Sequence, residues 1–394
     1  MRSKNLWRDY LTEDWQNGGF GLYIHWPFCQ SLCPYCDFNS YVASNIDQSR
    51  WVRAYSRQIQ AYARETKGRV LNTIFFGGGT PSLMEPETVD AILSEVRAHW
   101  TVANDLEVTL EANPGSVEAG RFKAYAEAGV NRVSMGVQAL NDRDLKRLGR
   151  LHSVAEAKQA FNIARNSFDR VSFDLIYARQ DQSLADWTAE LREALAMAVD
   201  HLSLYQLTIE QGTAFGDRYD AGKLSGLPAD EDAADMYFAT QEVCEAAGMG
   251  AYEVSNHAQH GQESRHNLIY WRYGDYIGIG PGAHGRITSN NQRVATESYL
   301  APGKWLESTE RDIFESARSN LSSQDQAVEY LMMSLRLSEG SNIQRYQSLS
   351  GFSLSTERVE HLSDLGLVEL EAGNIRATQN GRPVLNAILR ELLA

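Results

Sequence analysis

The sequence lacks the features of membrane-spanning and nucleic-acid-binding proteins. No stretch reaches the roughly 18 to 20 continuous apolar residues of a membrane span, and the polar start shows no apolar signal segment. Lysine and arginine number 37 against 51 aspartates and glutamates, so the net charge of −14 would repel a phosphate backbone. We therefore expect a cytoplasmic protein that does not bind nucleic acid, with only peripheral membrane contact left open.

Signs of low complexity are also missing. The chain holds nine prolines and thirty glycines in 394 residues, and its 43% apolar and 22% charged content is ordinary for a globular protein. This length predicts two to three domains, or one large α/β barrel with an addition.

Cysteine is scarce. The chain has only four, and four in so long a chain cannot form a disulfide framework. Three of the four lie within eight residues, as Cys29, Cys33 and Cys36 with the spacing C-x3-C-x2-C. The fourth, Cys244, lies in a helix-like run, and we expect it to be a small buried apolar side chain.

Three closely spaced thiols in a reducing compartment indicate a metal site rather than disulfides. A structural zinc site would need a fourth ligand, for which His25 is the nearby candidate. An iron–sulfur cubane normally takes four thiolates, so three would leave one iron free to bind a chelating small molecule. The clustering favours the cubane and keeps zinc as the alternative.

The cysteine loop resembles the cluster loop of the radical S-adenosylmethionine (SAM) superfamily, including the aromatic Tyr35 before the last cysteine. The resemblance implies a [4Fe–4S] cluster whose open iron binds the amino and carboxylate groups of SAM. One electron then cleaves the sulfonium C–S bond and yields a 5′-deoxyadenosyl radical. In this arrangement Tyr35 would cover the adenine face.

The first two-thirds of the chain alternate strand-like and helix-like runs, which predicts a parallel α/β sheet with right-handed connections. Periodicity alone does not distinguish a doubly wound sheet from an incomplete barrel. The resemblance implies a partial (β/α)6 radical SAM barrel with the cluster loop after the first strand. The predicted strands are 21–26, 70–76, 106–111, 132–138, 171–177 and 202–208, and the predicted helices are 51–64, 87–99, 119–128, 154–165 and 184–198.

The last third changes in character. Residues 251–310 are rich in glycine and aromatics, and we assign them to an extension of the barrel of residues 1–250. Residues 311–394 read as helices and a hairpin turning near Gly373, which resembles an α+β winged-helix unit. From residue 321 onward there are six arginines, no lysine and nine acids, so a packing or partner-docking role is favoured over DNA reading.

Polar residues follow the predicted strands. Three glycines at 77–79 allow backbone to approach a ligand closely, and Asp174 is costly within an apolar strand unless it is paired or bound. Together these positions resemble the SAM-binding set of the HemN-like branch, the oxygen-independent coproporphyrinogen dehydrogenases. The resemblance assigns SAM contacts to Tyr23, Tyr35, Gly78, Gly79, Thr80, Glu111, Gln138, Arg150, Asp174 and Thr208.

Two departures separate the chain from the dehydrogenases themselves. Phe38 stands where they have an extra cysteine, and only 28 residues precede Cys29, fewer than in those enzymes. Both features, and the motif H-N-x-x-Y-W beginning at His266, instead resemble the HemW-type heme chaperone branch. The resemblance implies heme as a further ligand, for which His266 is the candidate, because imidazole is the usual protein ligand of heme iron.

A further departure from the family pattern lies at residues 178–182. This chain has the sequence Ala-Arg-Gln-Asp-Gln there, where many relatives have the turn Gly-Leu-Pro-Gly-Gln.

The leading hypothesis is thus a heme chaperone that binds the cluster, SAM and heme and delivers heme to acceptor proteins, which the branch suggests are respiratory. The first alternative is an oxygen-independent coproporphyrinogen III dehydrogenase of porphyrin biosynthesis, which the two departures disfavour. The second is a zinc-containing α/β protein without redox chemistry.

Overall fold

The structure, a computed structural model, describes residues 13–43, 45–289 and 292–394. All six predicted strands are confirmed, although the third begins earlier, at Thr101, and two short strands flank the cysteine loop. The strands of this part are β1 (Phe20–Trp26), β2 (Phe28–Cys29), β3 (Tyr41–Val42), β4 (Val70–Gly78), β5 (Thr101–Ala112), β6 (Arg132–Gln138), β7 (Arg170–Tyr177) and β8 (His201–Gln206).

All five predicted helices are confirmed as well. Two of them begin at serines, Ser153 and Ser183, whose side chains accept from the third helical backbone N–H while an acidic side chain caps in return. Cys244 is fully buried in the last helix of this part, as expected. The helices are α1 (Gln48–Glu65), α2 (Pro86–His99), α3 (Ala119–Ala128), α4 (Asp142–Arg147), α5 (Val154–Ser167), α6 (Leu184–Met197), α7 (Ala214–Asp220) and α8 (Asp230–Ala246).

Six parallel strands form the barrel, in the order β1-β4-β5-β6-β7-β8. The barrel stays open, because β1 and β8 each pair on the outer side with a later strand, parallel β10 and antiparallel β9. Beyond β10 the sheet continues with three antiparallel strands. The later elements are β9 (Asn256–Ala258), α9 (Arg265–Trp271), β10 (Asp275–Ile279), β11 (His284–Ser289), β12 (Gln292–Glu297), α10 (Pro302–Thr309) and β13 (Ala317–Asn320).

The C-terminal part is built of helices and a small three-stranded sheet, which agrees with the winged-helix-like unit expected from the sequence. Its hairpin turns through Ala372 and Gly373, both with positive φ, where the sequence predicts it. A separate apolar cluster including Leu331, Ile375 and Ile388 forms its core. The division at residues 250 and 310 stays a prediction. The elements are α11 (Ser323–Ser334), β14 (Ser341–Asn342), α12 (Ile343–Ser350), α13 (Thr356–Asp364), β15 (Val368–Glu371), β16 (Asn374–Ala377) and α14 (Leu385–Leu393).

Among the described residues, none of the helices combines the length and the apolar content that crossing a bilayer demands. The cytoplasmic location expected from the sequence stays a prediction.

A buried ionic cluster joins β10 to its neighbours. Asp275, which begins β10, is fully buried and accepts from Arg69 Nη1 at 2.7 Å and from Arg293 Nε at 3.2 Å. Its carboxylate also accepts from the Thr288 hydroxyl at 3.0 Å and from the Thr288 backbone N–H on β11. Asp275 thus forms the shortest ion pair of both arginines, and water does not reach it; Glu13 lies farther from Arg69, at 3.8 Å, and Asp14 farther from Arg293, at 3.5 Å.

Replacing this carboxylate should destabilise the protein strongly. We expect Asp275→Asn to lower the free energy of unfolding by about 3 kcal/mol, because two largely buried guanidinium groups lose their nearest anion and keep only the more distant Glu13 and Asp14. Urea unfolding followed by circular dichroism measures the loss. The control is Asp312→Asn, at an exposed carboxylate paired with Arg57, where the change should stay below about 1 kcal/mol. Equal losses in the two variants would contradict this account of the cluster.

Candidate cluster and cofactor site

The three predicted metal ligands lie at the carboxyl end of β1. Cys29 is the last residue of β2, and Cys33 and Cys36 follow in the loop to β3, all half-buried. The loop contacts the barrel through two sulfurs: the Thr80 hydroxyl lies 3.4 Å from Cys29 Sγ, and Arg150 Nη1 lies 3.4 Å from Cys33 Sγ. The thiols therefore meet the residues that follow β4 and β6.

Without a metal, burial favours the neutral form of two of the thiols, Cys29 and Cys36. Burial raises the pKa of Cys29, and it raises the pKa of Cys36 to about 11. Metal binding must therefore displace their protons, as for thiolate ligands generally. Over residues 13–43, 45–289 and 292–394, no three histidine, cysteine or acidic side chains are gathered as a site for one metal ion.

The glycine loop after β4 packs directly against this segment. Gly79 N donates to Trp26 O at 2.7 Å, and a Cβ on Gly79 would lie 2.7 Å from Phe28 O. Gly78 has φ of 107°, and a Cβ there would meet the His25 ring at 2.6 Å. Both positions require glycine, so the loop can pass beside the cysteines with its backbone facing the cavity.

Two buried carboxylates line the cavity, Glu111 on β5 and Asp174 on β7. Burial, and secondarily the charge of Asp174, raises the pKa of Glu111 to about 8. Burial also raises the pKa of Asp174, to about 6, although Arg150 opposes the shift. Such a pair is costly to ionise together and would be relieved by a bound cation.

Gln138 and Arg150 complete this wall. Gln138 Nε2 lies 3.4 Å from Asp174 Oδ2, and Arg150 Nη2 donates to Gly136 O at 2.7 Å. The backbone of Gln138 has φ of 75°, a left-handed conformation that is unfavourable for a residue with a Cβ. The strain lies at the cavity wall, where stored backbone strain tends to be found.

These residues surround one cavity of about 630 Å³ at the carboxyl ends of the parallel strands. Ligand sites of parallel α/β folds are usually found at this end. The structure brings together here twelve of the fourteen residues that the sequence proposes: Cys29, Cys33, Tyr35, Cys36, Gly78, Gly79, Thr80, Glu111, Gln138, Arg150, Asp174 and Thr208.

Two buried ionisable residues of the cavity escaped the sequence analysis. Arg132 is 2% exposed and donates to Ser172 Oγ at 2.9 Å, and His201 is 1% exposed with Nε2 3.0 Å from the Tyr252 hydroxyl. Arg132 lies an even number of residues before Gln138 on β6, so the two side chains share a face. This alternation could have identified Arg132 from the sequence. However, Arg132 and His201 are the first residues of their strands, whereas the sequence analysis expected ligand contacts at the carboxyl ends of the strands.

Tyr23 lies outside this cavity and lines a second one of about 440 Å³, between β1, β10, β11 and α11. Its hydroxyl is 3.1 Å from His25 Nδ1, while His25 Nε2 lies 2.9 Å from Asn39 O in the cysteine loop. The second cavity shares Phe38, Gly78 and Glu111 with the first. The two cavities therefore adjoin across the end of β1.

His266 lines neither cavity. It is 1% exposed, and its Nδ1 and Nε2 lie 2.6 Å from the Thr73 hydroxyl and 2.7 Å from the Tyr270 hydroxyl. Its ring stacks on Phe75, and burial lowers its pKa to about 3. In this arrangement neither ring nitrogen is available to iron, whereas Tyr270 and Trp271 of the same motif line the second cavity.

The unusual turn at 178–182 keeps a backbone suited to glycine. Ala178 and Asp181 have φ of 57° and 55°, at the two positions where relatives have glycine. Arg179 between them is buried and donates to Glu190 Oε2 at 2.5 Å and to Asp144 Oδ2 at 3.1 Å. These ion pairs hold the rim in place despite the strained backbone.

Comparison with protein families gives two matches. Residues 23–193 match the radical SAM superfamily, and residues 321–384 match the HemN C-terminal domain. The chain is 37% identical to the heme chaperone HemW of Escherichia coli, over 95% of this chain and 98% of that protein. It is 38% identical to the mitochondrial radical S-adenosyl methionine domain-containing protein 1 of Bos taurus, over 95% and 87% of the two chains.

Among solved structures, the chain resembles coproporphyrinogen III oxidase (HemN) from Escherichia coli. The TM-score is 0.80 at 20% identity, over 95% of this chain and 90% of that one. At this identity the likeness concerns the fold, and it confirms the partial barrel with its C-terminal unit.

The strain at Gln138 can be tested by comparing two substitutions. Both Gln138→Gly and Gln138→Ala remove the amide, but only glycine adopts positive φ without penalty. We expect the glycine variant to have a free energy of unfolding about 1 kcal/mol higher than the alanine variant. Chemical denaturation of the ligand-free protein measures this difference. An alanine variant as stable as the glycine variant would show that the backbone is not strained there.

Proposed function

Because the chain belongs to the radical SAM family that includes the heme chaperone HemW, we propose that it is a heme chaperone. It binds a [4Fe–4S] cluster, SAM and heme, and it passes heme to acceptor proteins. One observation carries the cofactor part of the proposal: the three clustered cysteines, Arg150 and the buried carboxylates of Glu111 and Asp174 come from separate elements and meet in one cavity of about 630 Å³. The heme part is supported by the names of the relatives.

The donor set fits both cofactors. Cys29, Cys33 and Cys36 would hold three irons of the cluster, which supplies a fourth iron for chelation by SAM and one electron for reductive chemistry. Arg150 suits the methionine carboxylate, and the neighbouring carboxylates suit the ribose hydroxyls or the sulfonium. The proposed SAM contacts are Tyr23, Tyr35, Gly78, Gly79, Thr80, Glu111, Gln138, Arg150, Asp174 and Thr208.

Phe38 favours the chaperone over the dehydrogenase. Its side chain is 61% exposed and stands on the rim shared by the two cavities, where the dehydrogenases have a further cysteine. An aromatic ring at this place offers apolar contact surface and no metal ligand. We propose respiratory heme proteins as acceptors and the cytoplasm as the location.

His266 takes a positioning role in this proposal. Its Nε2 contact with the Tyr270 hydroxyl fixes a ring that lines the second cavity, and its backbone N–H donates to Glu107 Oε1 at 3.1 Å. The neutral imidazole thus positions the Tyr270 ring of the H-N-x-x-Y-W motif from a buried site outside the cavity. We do not assign it to the iron, because ligation would break one of two short buried hydrogen bonds.

The function is tested on anaerobically reconstituted protein. We expect four irons per chain, a Soret band on hemin titration, and heme transfer to a heme-free b-type cytochrome. Cys33→Ala should lose the cluster, whereas the matched Cys244→Ala, at a cysteine remote from the loop, should keep it. Conversion of coproporphyrinogen to protoporphyrinogen by the wild type, without stable heme binding, would reject the chaperone and favour the dehydrogenase.

The raised carboxyl pKa values predict a pH dependence of SAM binding. Glu111 is largely protonated below its pKa of about 8, and Asp174 below about 6, while the cationic sulfonium favours both charged forms. SAM affinity should therefore rise as pH rises from 6 to 8, by at most about tenfold per unit for each proton displaced.

Isothermal titration calorimetry in two buffers of different ionisation enthalpy measures the protons released. Glu111→Gln should flatten the rise and reduce proton release. A variant with the wild-type slope would show that Glu111 does not titrate on binding.

A further inference from the structure

The second cavity differs from the first in chemistry. The first is lined by charged groups, including Arg132, Arg150 and Asp174, and is the proposed SAM site. The second, about 440 Å³, has mainly apolar walls supplied by both the sheet and the first helix of the C-terminal part, α11. Its six aromatic residues are Tyr23, Phe38, Tyr270, Trp271, Tyr273 and Tyr276.

The aromatic walls suit a flat ring system. Tyr270 and Tyr276 meet edge to face, with ring centroids 4.5 Å apart and planes at 90°. Aromatic side chains present large apolar faces for stacking, and a volume in this range is typical of small-molecule sites. Trp271 adds an indole ring to the same walls.

Histidine side chains are also among the residues that line the cavity. Two histidines line it, but the ring nitrogens of His25 both face partners, the Tyr23 hydroxyl and Asn39 O. His284, the first residue of β11, is exposed. Met333 of α11 adds a thioether to the same walls. Histidine with an apolar surround is the protein environment of many heme irons.

The charged residues of the cavity are largely matched. Arg286 on β11 binds both carboxylate oxygens of Glu329 on α11, with Nη2 at 2.7 Å and Nε at 3.0 Å. This ion pair joins the sheet to the C-terminal part at the wall of the cavity. Glu111 faces its inner end, beside Gly78 and the SAM cavity.

We propose that this second cavity holds the heme cargo and that His284, not His266, is the axial ligand of its iron. The inference rests on the proposed heme chaperone function and names the place of the cargo. Phe38, Tyr270 and Trp271 contact the porphyrin, and His266 acts through Tyr270. Heme then lies next to SAM, separated from it by the end of β1.

The test uses hemin titration of the full-length, cluster-containing protein. His284→Ala should weaken heme binding by at least about tenfold and shift the Soret band, because the iron loses its protein ligand. Added imidazole should restore the wild-type spectrum. His361→Ala, at an exposed histidine of the C-terminal part outside both cavities, should change neither quantity.

Other outcomes overturn the assignment. Wild-type affinity and spectrum in His284→Ala would place the heme elsewhere, and a spectral loss confined to His266→Ala would return the ligand to that residue. SAM binding and circular dichroism of each variant show that the fold is kept. If the wild type itself binds no hemin, the chaperone function fails; if it binds hemin independently of His284, only this inference fails.

Discussion

The position of β1 between two parallel neighbours is the constraint on which the rest of the structure depends. β1 pairs with β4 on one side and with β10 on the other, and backbone hydrogen bonds to both neighbours set its register. Its last residue, Trp26, lies opposite Gly78, and the cysteine loop follows immediately. The thiols are therefore fixed at the carboxyl ends of the strands, beside the glycine loop and the polar wall.

The same strand divides the two cavities. Tyr23 and His25 project from β1 towards the second cavity, while the loop that follows lines the first. Phe38, at the far end of that loop, touches both. A change in the loop on binding a cluster or SAM would thus reach the aromatic cavity through this side chain.

Much of the fold could be predicted from the sequence. Strands buried on both faces read as apolar runs, and helices with serine caps have clear starts, so the barrel elements were found nearly in place. Of the proposed site residues, those towards the carboxyl ends of strands, such as Glu111 and Gln138, share one cavity because parallel strands end at the same edge. The family resemblance, rather than composition, selected the barrel over a doubly wound sheet.

Residues whose role depends on long-range packing could not be predicted in this way. His266 was assigned to iron from its motif, but the side chains that engage both its ring nitrogens come from β4 and from its own helix. The second cavity needs β10, β11 and α11 to meet, and no local pattern encodes that contact. His284, in a glycine-rich run, carries no spacing signal at all.

The central claim is that three thiolates hold a cubane whose remaining iron is open to SAM within the polar cavity. Electron paramagnetic resonance of the reduced, reconstituted protein tests it most directly. The account predicts a [4Fe–4S]⁺ signal whose g-values shift when SAM is added, and a much weaker response in Arg150→Ala. A signal unaffected by SAM, or a colourless protein that carries zinc in the loop, would contradict it.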